Sequence, residues 1–468
     1  MSFIGREAEL NELNRMYGER RFHLFILYGR RRVGKTTLLA EFCRDKPSVF
    51  YSAEQSNDKL NLEKFSAQIF EFCGETTLSP FTSWTKAITW LVGRQGQQPF
   101  VLVLDEFPYL ARRNPALLSE LQHLIDHQLK TSCLFLVLCG SYMGFMEKEI
   151  LSSKSPLFGR RTGQLHMKSL DYSTSLRFLE GFGPQEQLQL YAAFGGTPLY
   201  LEQVRREDSF EQNIRNSFLK VTSYLYEEPL LLLRQEVQEP GIYNAVIEAI
   251  AGGASHANEI ATRIGEESAK CLKYIQTLCE LGILCRETPF GEKANSRKSI
   301  YRIADPMFRF WYRYVFRFRS LIESGAADAV WRKRIEPDYA NYMGLAFEQI
   351  CTQYLQQCNA RGELPVLCTQ IGRWWGTNPQ TRRQEEIDIV AGDGKDHLFC
   401  ECKWRASPAD LSVLQDLQRK AEVSRICRGE TWYVLFSKSG FTQPLLEQAQ
   451  HDRHLMLVSL KTLIPPAQ

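Results

Sequence analysis

One apolar run, residues 22–28, leads straight into Gly29-Arg-Arg-Arg-Val-Gly34-Lys35-Thr36, and a helical pattern over 37–43 follows at once. A strand that turns through two glycines into a helix belongs to sheets whose strands are linked by helices, so this segment narrows the fold more than any other. Four further apolar runs, at 48–53, 100–104, 133–139 and 164–170, are continuous rather than alternating. Strands buried on both faces have that pattern. Helical patterns separate the runs, which predicts an α/β core with a parallel sheet over residues 1–170.

The rest of the 468 residues reads as four further segments, enough in all for about three domains. Residues 171–239 are helical only and form an expected lid. Residues 240–305 read as three short helices and a hairpin, the pattern of a winged helix-turn-helix. Residues 306–340 form a basic, aromatic linker. Residues 341–468 read as a second α/β unit: a helix, strands near 387–391 and 398–404, a helix at 409–422, and strands near 432–436 and 455–459. Fifty-seven Lys and Arg against 54 Asp and Glu leave a charge of only +3. Any anion site must therefore be local. No apolar run approaches 18 residues and no basic-then-apolar leader opens the chain, so the expectation is a cytoplasmic protein without membrane contact. The 13 cysteines are scattered without Cys-x-x-Cys and read as reduced, mostly buried residues.

The spacing Gly29 to Thr36 suits a triphosphate. The glycines aim backbone N–H groups at phosphate oxygens, and the start of the helix at Thr36 and Thr37 adds favourable partial charge. Lys35 reaches the β- and γ-phosphates, and the Thr36 hydroxyl holds Mg2+. The run at 100–104 ends in Asp105-Glu106. Asp105 is the expected second Mg2+ partner and Glu106 the group that polarises the attacking water. Ser141, after the run at 133–139, is a candidate polar sensor between the strands.

With Phe3-Ile-Gly5-Arg6-Glu7 at the start, Leu157-Phe-Gly-Arg160-Arg161 and Gly195-Gly-Thr-Pro198, the order of motifs is similar to that of the predominantly archaeal ATPases, related to AAA and signal-transduction ATPases. The resemblance implies a P-loop core, a helical lid and a winged helix. It assigns Gly5 and Arg6 to the adenine side, Arg160 or Arg161 to the γ-phosphate, and Pro198 to the lid near the nucleotide. It leaves open which arginine acts, and whether it acts in cis or from a second copy in a homo-oligomer.

The C-terminal unit carries its own acidic set. The turn at 392–396 predicts a hairpin that brings Asp388 beside Glu401. Alternation along the strand puts Glu401 and Lys403 on one face, and Glu348 on the preceding helical pattern can join them. This set resembles the PD-(D/E)xK nuclease fold, and in particular the domain of unknown function that ends many such ATPases. The resemblance gives Asp388 and Glu401 a metal, Mg2+ or Mn2+, gives Lys403 the attacking water, and adds Glu348 from the helix. Ile387 stands where the family name has proline, which takes no part in the chemistry.

Nucleic-acid signals are local. Lys270 and Lys273 lie on the third winged helix, and Lys293, Arg297 and Lys298 on the wing. Arg309, Arg313 and Arg317 recur every four residues as one helical stripe. Asp126, His123 and His127 read as surface residues. The leading expectation is an ATP-dependent nuclease, or nuclease-linked switch, acting on DNA. The alternatives are an ATP-driven DNA-binding switch that does not cut, and an ATPase that remodels a protein partner.

Overall fold

The computed structural model describes residues 3–76 and 79–464. The chain divides into two compact units, one of residues 1–169 with 197–199 and the other of 170–196 with 200–468.

The first unit is built on five parallel strands: β1 (His23–Tyr28), β2 (Ser48–Ser52), β3 (Phe100–Asp105), β4 (Leu134–Gly140) and β5 (Gly163–His166), in the order β2-β3-β4-β1-β5. β1, β3 and β4 are buried along their whole length, as their unbroken apolar runs require. Phe25, Leu27, Val101, Val103, Phe135 and Val137 pack with Leu38, Leu39 and Phe42 of the helix Lys35–Cys43. Each large apolar side chain buried there contributes about 1.5–3 kcal/mol. The strand order matters for function. β4 lies between β1 and β3, so the carboxyl end of β4 separates the glycine loop after β1 from the acidic pair after β3. Parallel α/β sheets bind ligands at such points.

The second unit begins with helices, among them Pro184–Phe194 and Tyr224–Glu236. Helices Pro240–Ala251, Ala257–Ile264 and Ser268–Glu280 then precede an antiparallel pair, β6 (Leu284–Glu287) and β7 (Ile300–Ile303). The long helix Tyr339–Ala360 leads to a mixed sheet of β8 (Gln370–Thr377), β9 (Gln384–Gly392), β10 (His397–Lys403), β11 (Thr431–Ser437) and β12 (Leu455–Ser459), in the order β12-β11-β10-β9-β8. β8, β9 and β10 run antiparallel, and β10, β11 and β12 run parallel. β8 has no counterpart among the strands expected from the sequence.

The wing between β6 and β7 is docked. Phe290, just after β6, is 5% exposed and belongs to the same apolar cluster as Ile387, Val390, Phe399, Leu417 and Leu435. Its N–H donates to the Arg373 carbonyl of β8 at 2.8 Å.

The segment expected as a basic linker is a helical layer. Trp311 and Tyr314 are buried, and the Trp311 indole N–H donates to the Tyr226 carbonyl at 2.8 Å. Two arginines of the expected stripe are engaged inside the unit. Arg309 donates to Gln349, and Arg313 pairs with Asp338 at 2.7 Å. Among the described residues no helix is long and apolar enough to cross a membrane.

Candidate functional site

The glycine loop of the first unit is shaped by close approach. Gly29 has φ +155°, and a Cβ there would lie 2.3 Å from the Met167 carbonyl oxygen, so only glycine fits. Gly34, at φ +94°, turns the chain into the helix Lys35–Cys43. Pro198 stands against this turn, since a Cβ on Gly34 would lie 3.8 Å from Pro198 Cγ. Lys35 is 6% exposed, and its ammonium donates to the Gly29 and Arg30 carbonyls at 2.7 and 3.0 Å. Thr37 is exposed on the first turn of the helix.

Thr36 and Asp105 meet. The Thr36 hydroxyl donates to Asp105 Oδ2 at 3.0 Å, across from the 4% exposed end of β3. Glu106 next door adopts φ +50°, a left-handed conformation that costs a residue with a side chain roughly 1–2 kcal/mol. Its carboxylate accepts from the Ser141 hydroxyl at 2.7 Å, and the Arg31 guanidinium lies 3.8 Å away. Asp105, Glu106 and Ser141 thus gather at the ends of β3 and β4, and the glycine loop lies at the end of β1.

The other expected residues have different surroundings. Arg6 donates to the carbonyls of Lys168 and, at 3.5 Å, Val33, so the Gly5-Arg6 segment is strapped to the loop. Arg160 is held by the Asp126 carboxylate at 2.6 Å and by the Pro156 and Phe158 carbonyls. The Arg160 hydrogen bonds, with those of Lys130, hold Asp126 down to about 2. Arg161 donates to the Leu151 carbonyl at 3.1 Å and stands over the exposed Phe158 ring. Arg30 is a residue the motif leaves unspecified, yet it is buried and donates to the hydroxyls of Thr197 at 2.8 Å and Ser169 at 3.2 Å.

In the second unit the expected hairpin is present, with Cys400 paired to Ile389, so Asp388 and Glu401 come next in register. Asp388 accepts from the Cys402 N–H at 2.8 Å. Glu401 is 5% exposed and pairs with Lys403 at 2.5 Å and Lys420 at 3.4 Å. Lys420, on the helix Leu411–Ser424, was not foreseen. Burial works against its charged form, but Glu401 and Asp416 outweigh that and hold the ammonium above its ordinary value. Burial and the Glu401 charge push Asp388 up to about 6, and burial and the Asp388 charge push Glu348 up to about 7. Glu348 Oε2 is buried without a hydrogen-bond partner; Arg373 lies 3.6 Å from it. Arg373, also unforeseen, bridges Glu348, Glu287 of the wing at 3.6 Å and Glu386 at 2.9 Å. Among the described residues no group of three or more His, Cys, Asp or Glu side chains stands in metal-holding geometry.

Comparison with known proteins bears on both units. The model of an ATPase domain predominantly from Archaea matches residues 3–204. A second model, of archaeal and bacterial proteins of unknown function, matches residues 311–420. An uncharacterized protein of Methanocaldococcus jannaschii is 31% identical over 443 residues, which is 93% of this chain and 95% of that protein. An uncharacterized ATP-binding protein of Pyrococcus abyssi is 26% identical over 272 residues, 48% of this chain and 79% of its own. Among solved structures, a Walker-type ATPase of Pyrococcus abyssi superposes with a TM-score of 0.51 at 22% identity, over 66% of this chain and 96% of that one, and shares the fold.

Proposed function

The chain belongs to the family of predominantly archaeal ATPases represented by its Methanocaldococcus jannaschii relative, and on that premise we propose that it hydrolyses ATP with Mg2+ and couples the hydrolysis to a metal-dependent nuclease-like site acting on DNA. The observation that carries the reading is the pairing of Thr36 with Asp105 beside the pairing of Ser141 with Glu106. Two hard oxygen donors 3.0 Å apart suit Mg2+, which when bound neutralises phosphate oxygens. Lys35 presents its ammonium to the β- and γ-phosphates from the floor of the loop. Glu106 accepts the proton of the attacking water at its carboxylate, and Ser141 and Arg31 keep that carboxylate aimed. Arg160 or Arg161 answers the γ-phosphate. Pro198, beside Gly34, packs near the nucleotide.

In the C-terminal sheet, Asp388 and Glu401 are the pair that would hold Mg2+ or Mn2+, which supplies charge stabilisation on a phosphodiester and a more acidic bound water. The surroundings suit such an ion, because desolvation and the neighbouring carboxylates hold Asp388 and Glu348 above the ordinary carboxylate range despite Arg373 and Lys403 nearby, and a divalent ion would relieve that. Lys403 orients the water, and Glu348 adds a further acceptor. One observation favours the reading of a DNA-binding switch that does not cut: Glu401 is already neutralised by Lys403 and Lys420.

One experiment separates the readings. The full chain is incubated with ATP, Mg2+ or Mn2+ and fluorescent DNA, and both phosphate release and strand scission are followed. Release with scission is the expected result. Release without scission leaves the switch, and no release with any divalent ion removes the ATPase reading.

A further inference from the structure

A groove of about 1270 Å3 opens within the second unit, between the end of the helix Pro240–Ala251 and the segments 312–318 and 333–341. That volume exceeds the roughly 300–1,000 Å3 of a small-molecule pocket, so the groove suits a length of polymer better than a metabolite.

Its charges are unbalanced. Arg317, Lys333 and Arg334 line it, all three are exposed, and among the described residues none has a carboxylate within ion-pair distance. The two other lining arginines are engaged. Arg313 holds Asp338, and Arg263 caps the Ala249 and Gly252 carbonyls at 3.1 and 2.9 Å. Asp338 is thereby neutralised, and the carbonyl end of the helix is covered. Glu248 is the one lining acid without a basic partner among the described residues, against three unpaired cations.

Aromatic rings stand among these cations. The Arg317 and Arg334 guanidiniums each lie 5.6 Å from the centre of the Phe318 ring, and Phe316 and Phe318 are half-buried at the groove wall. Guanidiniums beside ring faces offer phosphate contacts and stacking surfaces together. Duplex DNA keeps its base faces inside the stack, whereas a single strand exposes them.

We propose that this groove binds single-stranded nucleic acid, with Arg317, Lys333 and Arg334 on the phosphates and Phe316 and Phe318 beneath unpaired bases. The inference deepens the DNA reading above and rests on it. It moves the contact surface away from the docked wing and away from Arg309 and Arg313, which are engaged elsewhere.

The test is fluorescence anisotropy of labelled oligothymidylate, oligouridylate and a duplex with the full chain, across a salt series. The triple variant Arg317→Gln/Lys333→Gln/Arg334→Gln is compared with wild type, and basal ATP hydrolysis and the thermal midpoint confirm that it is folded. Wild type should prefer the single strands. The variant should bind about tenfold or more weakly, and its salt slope should fall by about 2, the loss expected for three contacts to single strands. The oligothymidylate and oligouridylate arms tell DNA from RNA. Equal affinity for the duplex, or unchanged affinity and slope in the variant, overturns this surface while leaving the DNA reading standing. No binding of any polynucleotide by wild type removes both.

Discussion

The Ser141 hydroxyl donates to the Glu106 carboxylate at 2.7 Å, joining the ends of neighbouring strands β4 and β3. The bond fixes a carboxylate whose own backbone is in a left-handed conformation. Glu106→Gln keeps an acceptor for Ser141 but removes the base. Turnover of ATP should drop by about 10²-fold or more with nucleotide affinity retained. Ser141→Ala should lower turnover less, because Arg31 still stands near the carboxylate. Steady-state phosphate release alongside equilibrium nucleotide binding checks both.

Lys35→Ala removes the one ammonium at the loop. ATP turnover should fall below detection, and the stabilising effect of ATP should vanish with it. For wild type, ATP at a hundred times its dissociation constant raises stability by about 2.7 kcal/mol. A thermal-shift titration with Mg2+ and ATP reads the difference directly.

Arg160 and Arg161 should separate. Arg160 is tied to Asp126 and two carbonyls, so Arg160→Ala should lower the thermal midpoint more than the turnover. Arg161, with one carbonyl bond, is freer to turn, and Arg161→Ala should lower turnover by about 10²-fold or more. The ion pair also has an acid signature. Asp126 sits at about 2 in the fold, below its ordinary 3.8, so the native state binds fewer protons than the unfolded chain between those values. The stability it contributes is present above about pH 4 and is lost as the pH falls toward 2. In Asp126→Asn that part of the acid limb should flatten, as thermal midpoints measured against pH will show.

Asp388→Asn tests the C-terminal site without emptying it. The amide oxygen can still accept from the Cys402 N–H, while a half-buried charge that neighbouring Glu401 disfavours is removed. Strand scission should cease and the thermal midpoint should hold or rise. Persistent scission with Mn2+ supplied would show that Asp388 is not part of the cutting site.

Arg373 and Phe290 report on the docked wing. Arg373→Met removes the cation shared by Glu287, Glu348 and Glu386, and should cost about 1–3 kcal/mol for the carboxylate left unpaired at Glu348, since Glu287 keeps Arg302. Phe290→Ala empties a buried aromatic site at about 3–5 kcal/mol. Urea unfolding of the full chain gives both values.

Legibility followed locality. The glycine loop, β3 with its acidic end, and the β9–β10 hairpin are written in contiguous residues whose period, glycines and turn formers state the local structure. β8 was not legible because Gln370–Thr377 has neither an unbroken apolar run nor full burial; its residues are mostly half-buried at a sheet edge. Lys420 and Arg373 escaped because their partners are set by tertiary packing: Lys420 reaches Glu401 from 19 residues away, and Arg373 meets acids on three separate elements. The stripe of Arg309, Arg313 and Arg317 was legible as a period, but nothing nearby in sequence announced Gln349 or Asp338 as acceptors for the first two. Phe290 sits in a polar turn, where a lone aromatic carries no periodic signal.

That ring has a practical corollary for anyone dividing the molecule. A cut near residue 340 severs the chain where the covalent order suggests a seam, yet it strips Phe290 of its socket and opens the apolar interior of the tail to water. The excised halves should clump when made separately, and should regain solubility when co-expressed.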